Sequence, residues 1–285
     1  MKTIKRLLAL LCCALLVLSF AACTDEDKDK GIEKTEAVTT NANEASTDAS
    51  TIMPATVASQ GSTDAPDVSL APIEIPEGHD PVDASYFDDA AFVGDSVSLK
   101  LSYYAMSTKK LGEAQFFTAG SLGANNALWE ISDESVHPSY RGEKMLIEDC
   151  IANSGAKKVY LMLGMNDLAL YGIEDTIAAY DTLITNILAK SSGVKIIVQS
   201  MTPMTDTSNI YGTSLNNDVI REYNSRLEIF CADKGYTFAD VASVMYDENG
   251  QHLNRNYCSD PDDMGVHFTE AGCDAWIEYL STHTN

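Results

Sequence analysis

Four short stretches of this chain carry residues suited to acyl chemistry. In Gly94-Asp95-Ser96 a hydroxyl follows the apolar run 90–93 and opens a helical pattern. A Ser so placed is exposed at a sheet edge, where a helix N-terminus favours negative charge. In Ala119-Gly120-Ser121 a residue without a side chain follows a second apolar run. Its N–H can approach a reacting oxygen closely, although an ordinary loop Gly reads the same way. Asn166, in Gly164-Met165-Asn166-Asp167, can donate its amide to an oxyanion or simply cap the next helix. His267, in the stretch 262–269, is the usual type of base for a hydroxyl nucleophile, though a lone loop His is more often structural. His79, His137, His252 and His283 lie in polar or terminal segments and have weaker claims. Each stretch alone is a weak signal.

The elements needed to bring them together are legible. Residues 90–93, 115–118, 158–163, 194–200 and 236–241 read as strands, because they are apolar runs of strand length. Between them, helical spacing covers 98–106, 143–152, 173–190 and 216–234, with stops at Gly155, Gly193 and Gly235. Thr269 is a suitable N-cap for a last helix. Apolar rather than alternating strands, each followed by a helix, imply a parallel sheet covered on both faces. Right-handed crossovers then favour a three-layer α/β/α sandwich with a flavodoxin-like five-stranded parallel sheet. In such sheets sites form at the carboxyl ends of the strands. The four stretches all fall there.

Together the blocks resemble the SGNH hydrolases, also called GDSL esterases, over about residues 86–285. That family is named for Ser, Gly, Asn and His in four ordered blocks, matched by Ser96, Gly120, Asn166 and His267. The resemblance implies that Ser96 attacks an ester carbonyl while His267 takes its proton and later delivers one to the leaving alcohol. It also implies an oxyanion hole built from the Ser96 and Gly120 N–H groups and the Asn166 amide. No metal and no cofactor are expected, and the absence of Gly-x-Ser-x-Gly argues against the α/β-hydrolase version of this chemistry. One position departs from the family, which usually sets an Asp three residues before its His. Met264 stands there, and the nearest acid is Asp263. Asp263 is therefore the expected orienting acid, with its removal expected to lower turnover at least about tenfold. Asp260, Asp262 or a backbone carbonyl are the alternatives.

Upstream the texture changes. Lys2, Lys5 and Arg6 precede the uncharged run 7–22, which is marginal for a permanent span and reads as a signal peptide. Its end, Phe20-Ala21-Ala22-Cys23, resembles a bacterial lipobox, which implies lipidation at Cys23 and anchoring to the outer face of a Gram-positive-like cytoplasmic membrane. Residues 23–80 are poor in large apolar residues and rich in Thr, Ser, Ala and acids, as expected of a disordered tether. Residues 81–285 are then the hydrolase domain. Four cysteines remain in it, and Cys258 with Cys273 is a candidate disulfide, buried free thiols being the alternative.

The formal net charge is −23, of which −16 belongs to residues 81–285. Binding to nucleic acid or electrostatic attachment to anionic lipid is disfavoured, because both require clustered Lys and Arg. The domain's own acidity also disfavours polyanionic substrates and favours neutral acetylated sugars. Surface display on a tether points the same way, so the expected partner is an ester substrate such as an O-acetylated glycan, with the N-terminal lipid as the only membrane contact. Acyl transfer to a surface polysaccharide, or a binding module that has lost its chemistry, are the competing readings.

Overall fold

The computed structural model describes residues 75–284. The expected signal peptide, Cys23 and most of the expected tether lie outside the described residues. Five parallel strands, β1 (Ala90–Gly94), β2 (Gln115–Thr118), β5 (Lys158–Met162), β6 (Lys195–Gln199) and β7 (Thr237–Ala239), form one sheet in the order β2-β1-β5-β6-β7. Numbered within the sheet alone, this is the flavodoxin-like order 2-1-3-4-5. Helices α1 (Ser96–Thr108) and α5 (Glu270–Thr282) pack together, and α2 (Ile147–Ser154), α3 (Leu168–Lys190) and α4 (Asn217–Lys234) form a second contiguous group. The expected three-layer α/β/α sandwich is thus the fold of the chain.

All five residues of β1 are buried, which accounts for its unbroken apolar run. Phe92 is in register with Phe116 of β2 and Tyr160 of β5, and the three rings stack across the strands at 5.3 and 4.6 Å. Each such aromatic pair adds about 0.5–1.5 kcal/mol beyond the area it buries. At the far side, Trp276 of α5 is fully buried and donates its indole N–H to Gln199 of β6 at 2.8 Å. That bond fixes the helix that follows His267 against the sheet.

The structure alters three sequence expectations. Residues 143–152 do not start a helix: Glu143–Lys144 is β4, paired antiparallel with β3 (Ser139–Tyr140), and α2 begins at Ile147. The Gly142 beside them has a φ of 86°, which turns the chain into a hairpin that a helical periodicity count cannot see. The helix expected over 173–190 follows a non-helical Gly172, and an additional short turn from Leu168 precedes it within α3. Finally, the domain begins before residue 81. His79 N–H donates to Thr282 O at 2.9 Å, and the His283 ring lies 3.0 Å from Pro76 O, so the first described residues meet the end of α5.

Candidate active site

Gly94 ends β1, and its lack of a side chain is a packing requirement. A Cβ there would lie 2.1 Å from Ser98 Oγ and 2.9 Å from Met162 O. Strand and helix can therefore approach closely enough to turn within one residue. Asp95 makes that turn. Its carboxylate caps α1 by accepting from Val97 N–H at 2.9 Å, leaving Ser96 as the first helical residue. The hydroxyl thus sits at the positive end of a helix of 13 residues.

Ser96 Oγ lies 3.0 Å from His267 Nε2, and His267 Nδ1 lies 2.6 Å from Asp260 Oδ2. With Nδ1 donating to the carboxylate, Nε2 is left as the acceptor of the Ser96 proton. His267 is 5% exposed, so the relay is shielded from water on the imidazole side. The carboxylate set against His267 Nδ1 is that of Asp260, not that of the expected Asp263. Asp263 is exposed, and its backbone N–H donates to Asp260 O at 3.0 Å. Asp262 is also exposed and pairs with Arg255. The chain leaves Asp260, loops outward, and returns, so that Gly265 N–H donates to Asp260 O at 2.9 Å. A spacing count toward His267 lands on the outer residues of this loop, whereas its neck supplies the carboxylate.

That neck is held by a short antiparallel ladder. Cys258 bridges Phe268, Ser259 N–H donates to His267 O at 2.8 Å, and Thr269 N–H donates to Tyr257 O at 2.8 Å. Asp260 Oδ1 accepts from Val266 N–H at 3.2 Å and His267 N–H at 3.1 Å, with the Cys258 thiol at 3.1 Å. Burial pushes the Asp260 pKa up, but its hydrogen bonds with His267 and Cys258 and the His267 charge outweigh it and hold it below the ordinary carboxylate range. The four cysteines of the described residues are all free and buried, so the candidate Cys258–Cys273 disulfide is absent. Burial pushes each thiol up to about 12.

The other two blocks meet beside Asp95. Asn166 Nδ2 lies 3.1 Å from Leu122 O and 3.3 Å from Asp95 Oδ2. The amide is thus beside the residue preceding Ser96, with its second N–H in the longer, weaker bond. Tyr211, from the loop between β6 and α4, donates its hydroxyl to Asn166 Oδ1 at 3.1 Å. This contact fixes the orientation of the amide and directs Nδ2 away from the tyrosine. Gly120 follows the parallel pair Gly94–Thr118 by two residues, and a Cβ on it would meet nothing within 4 Å. Packing does not demand a glycine there, so the open space above it is the feature of interest.

Asp167 explains how the Gly120 loop is held. Its carboxylate, 1% exposed, accepts from Ala124 N–H, Asn125 N–H and Asn125 Nδ2 at 2.8–3.0 Å. A Cβ on Gly123 would strike that carboxylate at 2.6 Å. Burial still leaves the Asp167 pKa raised, against those three donors. Asp95, 2% exposed, is likewise raised, to about 6, chiefly by burial.

Asp95, Asp167, Tyr211 and Cys258 escaped the sequence reading as site residues. The two acids lay inside the quoted blocks and carried a signal, since unpaired Asp in an apolar context requires local donors. Tyr211 and Cys258 carried none, because only the folded loops bring them to Asn166 and Asp260. Among the described residues no three His, Cys, Asp or Glu side chains are grouped to hold a metal ion.

A buried imidazole between a helix-terminal hydroxyl and a carboxylate, on a doubly wound sheet, is the arrangement that serine-dependent hydrolases use. The GDSL-like lipase/acylhydrolase family model matches residues 141–275, a span that holds Asn166, Asp260 and His267. Over that stretch the chain carries a domain of this family, the one its four blocks resemble. No curated protein matches its sequence. Its fold is similar to that of a Streptococcus pneumonia protein classed as a platelet activating factor, at 15% identity and a TM-score of 0.51 over 69% of this chain and 87% of the other. A Bacteroides fragilis protein classed as an acylhydrolase is 18% identical with a TM-score of 0.50, over 67% and 83% of the two chains. A GDSL-like lipase from Bacteroides thetaiotaomicron is 17% identical with a TM-score of 0.50, over 67% and 84%. Ser96 and Gly120 lie outside the matched span, and Ser96 is joined to the site by its 3.0 Å contact with His267.

Proposed function

We propose that the domain is a serine esterase that cleaves short-chain carboxylic esters, O-acetyl groups on glycans or cell-surface polymers above all. The observation that carries this reading is the unbroken relay Ser96 Oγ–His267–Asp260, at 3.0 and 2.6 Å. Ser96 Oγ attacks the ester carbonyl as its proton passes to His267 Nε2, giving a tetrahedral oxyanion and an imidazolium paired with Asp260. The oxyanion takes the N–H groups of Ser96 and Gly120 and the Asn166 N–H that otherwise spans 3.3 Å to Asp95. Collapse expels the alcohol, which takes the proton from Nε2, and leaves an acyl ester on Ser96. Water then gives a proton to Nε2 and attacks that ester, releasing the acid and restoring the serine.

The acetylated-glycan assignment is supported by the acidity of the domain and by its expected display on a tether. Lipidation at Cys23 after export belongs to the same reading, and membrane retention of Cys23→Ala after export would refute it. The function is tested by hydrolysis of a short chromogenic ester and by acetate release from acetylated glycans, comparing wild type with Ser96→Ala. Loss of both in the variant is expected. Activity that survives in Ser96→Ala overturns the nucleophile, and none in either protein overturns the esterase. Acetate moved to an added acceptor glycan, instead of released, would identify an acyltransferase.

A further inference from the structure

We propose that Cys258 is a positioning residue for catalysis, its thiol serving as the third donor that locks the Asp260 carboxylate toward His267. This inference rests on the Ser96–His267–Asp260 reading and deepens it. Cys258 Sγ lies 3.1 Å from Asp260 Oδ1, on the carboxylate oxygen not used by the imidazole. The two other donors to that oxygen, Val266 and His267 N–H, come from the far side of the loop. Only the thiol reaches Asp260 from its own N-terminal side, so it resists rotation of the carboxylate about χ2 in a way the backbone donors do not.

The need for such a tie follows from the spacing. An acid seven residues before its histidine is joined to it by the long loop 261–266 rather than by one short turn. The loop's outer residues are anchored elsewhere: Pro261 O and Met264 O accept from Thr205 and Ser208 hydroxyls of the β6–α4 loop, and Gly265 O accepts from Thr205 N–H. Movement there would be passed to Asp260 unless its carboxylate were held independently. Cys258 is suited to this task. It is 4% exposed, its backbone is fixed by the bridge to Phe268, and its elevated pKa keeps it a protonated S–H donor at neutral pH.

The test compares Cys258→Ala and Cys258→Val, which lack a donor, with Cys258→Ser, which keeps one. Cys150→Ala, a buried cysteine on α2, controls for lost packing. Two readouts are taken on the purified full chain. The first is the downfield proton resonance of the His267–Asp260 hydrogen bond, identified by its loss in Asp260→Asn. The second is the pH profile of hydrolysis of a short chromogenic ester. Other charges around the pair are Asp95 on the Ser96 side and Arg255 beside Cys258, and no substitution alters them. Removing a donor makes the carboxylate more basic, so the pair holds its proton to higher pH.

The Ala and Val variants should shift the resonance and move the acidic limb upward by about half a pH unit, with kcat lowered about fivefold at unchanged KM. Cys258→Ser and Cys150→Ala should match wild type. The proposal is overturned if Cys258→Ser behaves like Cys258→Ala, if Cys150→Ala produces the same shifts, or if Cys258→Val leaves the resonance and the limb unmoved. The resonance does not depend on finding the right ester. Failure of the esterase reading, seen as inactivity or as activity in Ser96→Ala, is therefore separable from failure of the thiol.

Discussion

Asp260 and Asp263 differ by three positions and, on this structure, by orders of magnitude in their effect on the reaction. In Asp260→Asn the side chain keeps its shape and loses its charge. The developing imidazolium then has no counter-charge where the carboxylate stood 2.6 Å from Nδ1. Opposite unit charges about 4 Å apart at an effective dielectric of about 20 attract by about 4 kcal/mol, or roughly 10³ in rate. An Asn amide that turns its NH2 toward Nδ1 also favours the tautomer with the proton on Nε2, which cannot accept from Ser96. A loss of roughly 10³–10⁴ in kcat is therefore expected, with KM little changed. Asp263→Ala removes an exposed side chain whose backbone N–H still reaches Asp260 O, so its activity should stay within about twofold of wild type. The assay is steady-state hydrolysis of a chromogenic ester near pH 7.5. Asp260→Asn retaining a tenth of wild-type kcat, or Asp263→Ala losing more than that, would refute the assignment of the acid.

Asp95 supplies a stability prediction. Burial raises its pKa from 3.8 to about 6, so the folded state holds a proton between those values that the unfolded state has lost, and stability falls as pH rises through this window. The ionised buried carboxylate costs about 3 kcal/mol above pH 6. Asn can still cap α1 through its carbonyl but faces Asn166 with a donor, which returns about 1 kcal/mol. Asp95→Asn should thus be about 2 kcal/mol more stable than wild type at pH 8, an advantage that disappears below pH 4; urea unfolding at the two pH values would show a constant difference if the reasoning is wrong. Tyr211→Phe should lower kcat about tenfold with KM unchanged, because the Asn166 amide loses the donor that fixes its orientation. A rise in KM alone, measured with the same ester, would make Tyr211 a substrate contact instead.

Much of this was legible in the sequence. The five apolar runs are strands because a strand covered on both faces must be apolar throughout, and β1, buried at every position, is the clearest case. Ser96, Gly120, Asn166 and His267 could be found because each follows a strand or precedes a helix. That is a local property, written in a few consecutive residues. The β3–β4 hairpin was missed for the opposite reason: its two-residue strands are too short to carry a period, and the apolar residues of α2 run on behind them.

What the sequence by itself determined is the parallel sheet with its five strands and the four residues expected at its carboxyl edge, since periodicity and chain connectivity decide these. Only the tertiary structure decided which acid serves His267. The sequence offers Asp260, Asp262 and Asp263, and counting along the chain favours the last. Pairing of residues 257–259 with 267–269 instead closes the intervening loop at its neck, which turns Asp260 inward and leaves the other two in solvent. A hydrogen-bonded register between segments is a property of two stretches at once, and no count along one of them contains it.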